Sequence, residues 1–388
     1  MCEPTFGGDW LHILIDAIND NAEIRGPDRY LLELLSGLAE VDRSTRYTIC
    51  HAPWQKAFHA PDLPANFTTI CLRPPRHRIP RVVWHALAFP YWVRRLKPDI
   101  VHLPNLIYAP WLGCPVITTV HDLAHFRFPE KFGRFRGRLQ RGLIRAALRH
   151  SDCAIAVSEF TRGDIGLFTD FPNARVAVVH EGGPPVKRRE SGSANGKRFF
   201  LYVGVIERSK NVEQLVVEFS DSDRLRELGY ELWIAGRPGN AMSRVQRLVS
   251  EVGDGRIKLT GFVSQDQLDE FYRTCKAMIF PSLVEGFGLV LLEAMANGAP
   301  VIAMDTSVIP EVVGEAGILV DPAEVGGIRR AMERLVGDPA LHQELEQKGY
   351  ERLGCFSWTE AARQTRALYD SVAGGKCDPS NSRRSLLQ

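Results

Sequence analysis

Two glutamates eight residues apart, Glu285 and Glu293, flank a glycine-rich turn in the second half of the chain. Carboxylates accept hydrogen bonds from hydroxyl groups, so two of them spaced along one ligand could hold the hydroxyls of a sugar and of a ribose. The spacing alone is weak, because two glutamates this far apart occur by chance in most chains of this length. What strengthens the pattern is the sequence around them.

The segment 277–303, AMIFPSLVEGFGLVLLEAMANGAPVIA, predicts the elements that would position these carboxylates. A buried strand comes first, a glycine loop follows, and a helix over 289–296 ends at an Asn-Gly pair. The glycines let backbone N–H groups approach a ligand, and the helix start presents N–H groups at the positive end of its dipole. Because Glu293 falls off the apolar stripe of this helix, we expect its carboxylate to point into a ligand cleft. The segment therefore predicts an anion- and sugar-binding site.

Short apolar runs alternate with helical patterns along the chain, which is typical of parallel sheets joined by crossover helices. Its 388 residues suit two domains better than one. Predicted strands occupy 11–16, 47–51, 100–102, 116–120, 154–157 and 176–179 in the first half, and 199–203, 232–235, 257–260, 277–280, 301–303 and 317–320 in the second. Predicted helices include 29–39, 137–150, 211–219, 243–251, 265–274, 289–296 and 327–336.

A polar, aperiodic stretch over 187–197 separates the two halves and is typical of a linker. It divides the chain into an N-terminal α/β domain over 1–186 and a C-terminal α/β domain over 198–357. A helix over 358–373 is expected to pack back toward the N-terminal domain, and the tail 374–388 is expected to be disordered. Two doubly wound domains of this kind are expected to face a common cleft, since such sheets bind ligands at the carboxyl ends of their strands.

The composition excludes several classes of protein. It is 45% hydrophobic and 24% charged, which is ordinary for a globular chain, and no apolar run approaches the ~18 residues that span a bilayer. The chain does not begin with a positive segment and an apolar core, so we expect no secretion signal and a cytoplasmic location. The eight cysteines form no CxxC pair and no zinc-spaced cluster, and we expect them to be reduced.

Positive charge is concentrated in the first half. The segment 71–150 holds thirteen arginines and two lysines against three acidic residues, so it carries +12 and the rest of the chain −10. This half is expected to meet something anionic, and charge alone leaves phospholipid, nucleic acid and phosphorylated substrate open. A solvated basic face is the alternative, and nucleic acid is disfavoured because no nucleic-acid fold signature is present. The basic residues concentrate in two places, before and beside the aromatic stretch 84–92 and at helical spacing after residue 133, and both suit an anionic membrane or a lipid-diphosphate acceptor. The first set is Arg73, Arg76, Arg78 and Arg81, and the second includes Arg134, Arg138, Arg141 and Arg145.

The segment around Glu285 resembles the E-x7-E signature of retaining glycosyltransferases of the GT-B fold, in particular glycosyltransferase family 4. The segment 202–211, YVGVIERSKN, resembles the family's phosphate-binding loop, and 120–123, VHDL, also matches. The resemblance covers about 11–369. It implies two Rossmann-like domains, the second of which binds a nucleotide sugar. It also implies retaining transfer of a hexose to a glycan or lipid-linked glycan, without a metal ion or other cofactor.

The resemblance assigns roles to the charged residues of the second domain. Glu285 would contact hydroxyls of the donor sugar, and Glu293 would bind the ribose. Lys210, helped by Arg208, would neutralise the diphosphate, which leaves with negative charge. One position departs from the family, because Val205 stands where an arginine is common.

Further site residues implied by the resemblance lie in loops. Gly26 would let backbone approach the donor phosphate or the acceptor, and an ordinary helix start is the alternative. His121 follows a buried strand and would sit beside the reacting sugar. With His125 it forms no zinc motif, because the glutamate of H-E-x-x-H is missing. Backbone contacts to the sugar, the diphosphate or the base are implied at Val263, Phe287, Gly288 and Leu289.

The phosphate loop resembles that of bacterial mannosyltransferases of polysaccharide synthesis that use GDP-mannose, so an α-mannosyltransferase is favoured. UDP-sugars and other GDP-sugars remain open as donors. The expected partners are the nucleotide sugar, a lipid-diphosphate-linked glycan and an anionic membrane at the inner face of the plasma membrane. The alternatives are another GT-B enzyme such as a nucleotide-sugar epimerase, or a non-catalytic sugar-nucleotide-binding protein associated with a membrane.

Overall fold

The computed structural model of the protein describes residues 10–22, 24, 26–59, 62–128, 134–188, 198–375 and 377, with the backbone alone at 78 and 134–136. The chain divides into two compact units, Met1–Gly182 with Trp358–Gln388, and Gly183–Ser357. The predicted linker lies outside the described residues from 189 onward. Of the predicted disordered tail, only 374, 375 and 377 lie within them.

The first unit is built on one parallel sheet. Its strands are β1 (His12–Asp16), β2 (Arg46–His51), β3 (Phe67–Cys71), β4 (Ile100–Leu103), β5 (Val116–Val120), β6 (Cys153–Ala156) and β7 (Val176–Val178). Its helices are α1 (Gly26–Val41), α2 (Arg78–Leu87), α3 (Phe89–Leu96), α4 (Ala124–Arg127), α5 (Arg134–Arg149), α6 (Glu159–Phe168) and, numbered last in the chain, α15 (Trp358–Ala373). Among the described residues these seven strands follow the order β3-β2-β1-β4-β5-β6-β7. The order reverses between β1 and β4, where doubly wound sheets bind ligands.

The second unit repeats the plan. Its strands are β8 (Phe199–Val203), β9 (Glu231–Ala235), β10 (Ile257–Gly261), β11 (Ala277–Phe280), β12 (Val301–Met304) and β13 (Gly317–Val320). Its helices are α7 (Val212–Ser220), α8 (Asp223–Glu227), α9 (Met242–Val252), α10 (Gln265–Thr274), α11 (Leu289–Ala296), α12 (Ile309–Val313), α13 (Gly327–Gly337) and α14 (Pro339–Leu353). The described strands pair in parallel in the order β10-β9-β8-β11-β12-β13, so the reversal falls between β8 and β11.

Central strands of both sheets are buried along their whole length, as expected when helices cover both faces of a parallel sheet. The predicted class, two Rossmann-like α/β domains, is confirmed. Two local features were not predicted. The edge strand β3 has two adjacent threonines at its centre and is weakly buried. The α2–α3 pair contains Pro80 and Pro90, which interrupt its helical pattern.

The last helix, α15, belongs to the first unit and packs along α1. Beyond it, Cys377 forms a disulfide with Cys153 of β6, so the expectation that every cysteine is reduced is wrong for this pair. The pairing joins residues 224 apart in the sequence, and only the return of α15 to the first unit brings them together. Within the described parts of the chain, no helix has the length and apolar character needed to cross a bilayer.

Candidate functional site

In the second unit the predicted donor residues gather where the strand order reverses. β8 and β11 are neighbours in the sheet, and the loops that leave their carboxyl ends carry Lys210 and Glu285 respectively. A backbone hydrogen bond of 2.9 Å from Leu283 N–H to the Ser209 carbonyl joins the two loops. The fold therefore brings together two residues that lie 75 positions apart in the sequence.

Lys210 and Glu285 form an ion pair between the ammonium Nζ and the carboxylate Oε1. Both side chains keep part of their surface exposed, 23% for Lys210 and 13% for Glu285, so a ligand can reach each of them. The Glu285 backbone N–H donates to the Ser307 hydroxyl at 3.2 Å, which fixes the loop beneath the carboxylate. The Lys210 ammonium can leave Glu285 and bind an incoming anion, since an ammonium on a flexible stem readily changes partners.

The glycine loop shapes the start of α11. Gly288 stands at its N-cap with a φ of 101°, a conformation that residues with a side chain rarely adopt. Phe287 is buried and packs edge-on against Phe356, with 5.8 Å between ring centroids, and this contact anchors the loop. Leu289 opens the helix. The first N–H groups of an α-helix have no acceptor within it, so this turn suits an anion or the oxygens of a sugar.

Glu293 lies deeper than expected. It is 4% exposed, and Tyr272 of α10 directs its hydroxyl at the carboxylate Oε2 over 3.3 Å. All of α11 from Leu291 onward is buried, so the carboxylate is held by the fold instead of standing free in solvent. A buried carboxylate with fixed donors can accept ligand hydroxyls only in a set direction.

The remaining predicted donor residues lie at the same edge of the second sheet. Arg208 is exposed, in a 3-10 turn whose first N–H donates to the Asn240 side chain at 3.0 Å. Val205 is exposed as well, and its carbonyl accepts a hydrogen bond of 3.1 Å from Tyr202. Burial, followed by the negative charge of Glu285, raises the pKa of Tyr202, which keeps this donor protonated. Val263 is half-buried just after β10.

In the first unit a cavity of about 390 Å³ opens at the carboxyl edge of the sheet, near the reversal between β1 and β4. Its lining includes Pro27, His121 and a set of polar side chains. No protein atom lies within 4 Å of the position that a Cβ on Gly26 would take, so protein packing does not require this glycine. Such a cavity lining suits hydroxyl groups of a ligand. Its polar residues are Asn19, Asp20, Asn21, Arg81, His85, Asn105, Tyr108, His121, Asp122, His125 and Gln140.

Both ring nitrogens of His121 face oxygens. Nε2 lies 3.0 Å from the Pro104 carbonyl, which can only accept, so Nε2 carries a proton. Nδ1 lies 3.2 Å from Oε1 of the buried Glu181. Tyr30 packs edge-on against the ring with 4.7 Å between centroids. Both ring nitrogens are therefore directed at protein oxygens, which fixes the orientation of the ring.

The basic face predicted on α5 is only partly open. Arg141 donates to the His125 carbonyl at 3.3 Å, and Arg145 donates to the Phe168 carbonyl at 3.1 Å while stacking over Phe126. Arg138 is exposed, and the Arg134 side chain lies outside the described residues. Two of the four arginines are therefore bound to backbone of the same unit.

The Asp221-Ser222-Asp223 segment leads from α7 into α8, and the Ser222 hydroxyl caps α8 by accepting the Leu225 N–H at 3.1 Å. In the described portion of the chain, no three His, Cys, Asp or Glu side chains come together in a way that could hold a metal ion.

Sequence reasoning missed the residues that position the predicted ones. Tyr272, Ser307 and Glu181 were not predicted, because each lies far from its partner in the chain and is an ordinary residue in its own segment. Glu181 alone left a signal, since a charged residue followed by two glycines just after a buried strand marks a strand-end loop.

Sequence models of two families match most of the chain between them. The model described as Glycosyl transferases group 1 matches residues 185–352, and the model described as Glycosyltransferase Family 4 matches residues 24–183. Each match thus falls on one of the two α/β units.

Individual proteins are similar over a large share of the chain. The O-antigen chain mannosyltransferase B of Escherichia coli is 28% identical over 290 residues, which cover 71% of this chain and 75% of that protein. The D-inositol 3-phosphate glycosyltransferase of Streptomyces bingchenggensis is 31% identical over 316 residues, covering 71% and 67% respectively. Among solved structures, a sucrose-phosphate synthase of Thermosynechococcus elongatus has the same fold, with a TM-score of 0.76, 22% identity, and coverage of 94% of this chain and 100% of that one.

Proposed function

We propose, since the chain belongs to glycosyltransferase family 4, that it is a retaining transferase that moves mannose from GDP-mannose to a lipid-linked glycan. The observation that supports this best is the Lys210–Glu285 pair, placed beside the glycine loop at the strand reversal of the second sheet. In this proposal the ammonium of Lys210 meets the diphosphate, and the carboxylate of Glu285 meets the sugar hydroxyls. The start of α11 meets oxygens of both. In this proposal 198–357 binds the donor and 1–186 binds the acceptor.

The diphosphate displaces Glu285 as the partner of Lys210. The ammonium then neutralises the leaving group, and Arg208, exposed nearby, adds to the positive field. Released from the pair, Glu285 accepts hydrogen bonds from hydroxyls of the sugar. In other enzymes a metal ion neutralises the departing diphosphate. Here we propose that these two cations do so and that the reaction needs no metal.

The reaction exchanges one bond at the anomeric carbon. The bond from this carbon to the diphosphate oxygen breaks, and a bond to the acceptor oxygen forms on the same face of the sugar. The acceptor proton passes to the departing phosphate oxygen, so no protein nucleophile is needed. His121, whose ring is oriented by the Pro104 carbonyl and Glu181, lies beside the reacting sugar at the edge of the polar cavity of the first unit.

Two further parts of the donor have their own residues in this proposal. Glu293, held by Tyr272, accepts the ribose hydroxyls. The base lies along the backbone at Val263, after β10. Backbone at Phe287, Gly288 and Leu289 cradles sugar and diphosphate, and Gly26 leaves room for phosphate or acceptor.

The preference for mannose rests on similarity to the mannosyltransferase of Escherichia coli and on the form of the phosphate loop. The lipid-linked acceptor, and with it a peripheral position at the inner face of the plasma membrane, rests on the positive charge of 71–150. Synthesis of a polysaccharide is the process that these substrates fit.

Thermal unfolding with a panel of GDP- and UDP-sugars tests the donor. At a ligand concentration of 100 times Kd, binding adds about 2.7 kcal/mol to the free energy of unfolding, so GDP-mannose should raise Tm by roughly 5–10 °C. A rise with UDP-sugars alone would contradict the mannose assignment, and no rise with any of them would contradict donor binding. Conversion of the donor to another nucleotide sugar without acceptor, followed by NMR, would identify an epimerase instead.

A further inference from the structure

The α2–α3 pair carries an apolar stripe on its outer side. Ile79, Val83, Leu87 and Tyr91 follow one another at intervals of four residues and are 76%, 52%, 69% and 57% exposed. Ala88, between the helices, keeps helical backbone angles, and its N–H donates to the Trp84 carbonyl, so the turns continue from α2 into α3. We call these four residues the outer stripe.

Packing of the unit does not require the outer stripe. The opposite side of the same helices supplies the core contacts, through His85, Phe89 and Val93, each at most 1% exposed. A surface helix normally presents polar residues on its solvent side. Single exposed apolar residues are ordinary, but a contiguous series over three helical turns indicates a surface that something covers.

The segment that carries the outer stripe has charge of one sign. From 63 to 98 the sequence contains seven arginines and lysines and no aspartate or glutamate. Arg73, Arg76, Arg94, Arg95 and Lys97 are exposed. Of the cations in this segment, Arg81 turns to Asp20, at 3.4 Å. The apolar stripe thus lies beside a surface on which positive charge predominates, with Asp20 as an acidic neighbour of Arg81.

An aromatic side chain extends the surface. Trp111 is 66% exposed, and its carbonyl accepts a hydrogen bond of 3.2 Å from Arg94 next to the stripe. Indole and phenol rings favour the boundary between hydrocarbon and water, because each has an apolar body and a polar tip.

We propose that the outer stripe and its cations bind an anionic lipid bilayer, with Ile79, Val83 and Leu87 in the acyl boundary and the arginines at the lipid phosphates. Stable attachment to a membrane requires two signals, apolar insertion and charge attraction, and this surface supplies both. The excess of exposed cations over acids complements a uniformly negative surface. The inference deepens the proposed function, since it rests on a lipid-linked acceptor, yet it is measured without donor or acceptor.

The α5 face predicted from the sequence is a weaker candidate. Arg141 and Arg145 already bind backbone carbonyls, and Leu139 is the large hydrophobic residue exposed along the part of that helix whose side chains are described. The two basic surfaces can therefore be distinguished by substitution.

Sedimentation of the full-length protein with vesicles tests the apolar part. Wild type should bind vesicles that contain phosphatidylglycerol and bind phosphatidylcholine vesicles at least tenfold more weakly. Ile79→Ser with Leu87→Ser should weaken binding to the anionic vesicles by more than tenfold, because two apolar side chains no longer insert. Leu167→Ser, on α6 and 67% exposed, removes a similar apolar area elsewhere and should bind as wild type does. Absence of wild-type binding, or equal binding by the stripe variant, would overturn the proposal.

Charge substitutions test the cationic part. Arg95→Gln with Lys97→Gln should weaken binding about 30-fold and reduce its salt dependence, because each cation contributes roughly 1 kcal/mol. Arg138→Gln with Arg149→Gln on α5 removes the same charge and should have little effect; the opposite ranking would place the contact on α5.

Self-association lost only in the stripe variant would indicate a second copy as the occupant and overturn the lipid proposal. GDP titrations of all variants should match wild type, so failure of donor binding is recognised separately.

Discussion

The Lys210–Glu285 pair of the second unit and the His121–Glu181 pair of the first both join a base to an acid at the carboxyl edge of a parallel sheet. They differ in how firmly the base is held. Lys210 meets Glu285 through a flexible ammonium, in a contact that solvent and ligand can reach. His121 directs one nitrogen at a backbone carbonyl and the other at a buried carboxylate.

This difference separates two kinds of contribution to one reaction. Lys210 can exchange Glu285 for an incoming anion without movement of the backbone. His121 can change partner only if its ring leaves the Pro104 carbonyl. We therefore assign charge neutralisation to the second unit and orientation to the first, and substitutions in each unit should have effects of different size.

The largest effect is expected at Lys210 and Glu285. Lys210→Ala and Glu285→Ala should each lower kcat/KM by about 10²–10³, because each removes a group that meets the developing charge or the sugar. Transfer of labelled mannose to the acceptor measures this. Lys258→Ala, which breaks the exposed ion pair with Glu231 in the same unit, should leave the rate unchanged. A Lys210→Ala enzyme as fast as wild type would contradict the comparison.

A smaller effect is expected at Glu181. Glu181→Gln replaces the charged partner of His121 Nδ1 with a neutral amide and should lower kcat by roughly 10- to 100-fold, the size of one hydrogen bond to a charged group. KM for the donor should change less, since the diphosphate contacts stay in place. Glu159→Gln, which breaks an exposed pair with Arg162, is the control. If the Glu181 variant changes only donor KM, His121 does not act in orientation.

Tyr272 should matter chiefly for stability. Tyr272→Phe removes a hydroxyl donor from the buried Glu293 carboxylate and should cost about 1–3 kcal/mol in the free energy of unfolding. Donor affinity should fall with it. Tyr350→Phe removes a hydroxyl that contacts Glu346 on the surface of α14, and its denaturation midpoint should match wild type. Equal midpoints for both variants would show that the Tyr272 contact adds nothing.

The smallest effect is a dependence of stability on pH. Burial, with a lesser contribution from the charge of His121, lowers the pKa of His102 to about 3, against ~6.5 in the unfolded chain. Between these two pKa values the imidazole of His102 is protonated in the unfolded chain and neutral in the folded protein. The free energy of unfolding should therefore fall by about 1.4 kcal/mol per unit as pH drops from about 6.5 to 5.

Denaturation of His102→Asn at several pH values isolates this contribution. The substitution should reduce the slope of the free energy of unfolding against pH by the equivalent of about one bound proton, because the buried imidazole is no longer present. The exposed His150→Asn should retain the wild-type slope. A slope unaffected by His102→Asn would show that the imidazole is protonated in the folded protein.

The two units also differ in how far their sequence predicts them. In the second unit, strand, glycine loop and helix follow one another without interruption, so β11 and α11 were predicted to the residue. The structure of such a segment can be predicted from its own residues, because a turn at positive φ requires glycine and the end of a helix favours an Asn-Gly pair. Tyr272 leaves none, since its contact with Glu293 depends on how α10 packs against α11.

In the first unit the sequence predicts the central strands and a basic, aromatic region at 73–92, but not the α2–α3 helices or the exposed apolar stripe on them. The α2–α3 pair carries two prolines and arginines among its apolar residues, so its periodicity is obscured until the helices are placed. For the arginines of α5, the spacing in the sequence predicts one common exposed face. In the folded unit Arg141 and Arg145 of that face donate to backbone carbonyl groups. Charge patterns therefore show where basic residues lie in the chain, and tertiary contacts decide which remain exposed.

Calorimetric titration of GDP into the wild-type protein, Lys210→Ala and Lys258→Ala tests the account most directly, because it needs neither sugar nor acceptor. We predict that wild type and Lys258→Ala bind GDP with equal affinity and that Lys210→Ala binds at least tenfold more weakly, about 1.4 kcal/mol or more. Equal binding by all three proteins would contradict the assignment of the diphosphate to the Lys210–Glu285 pair.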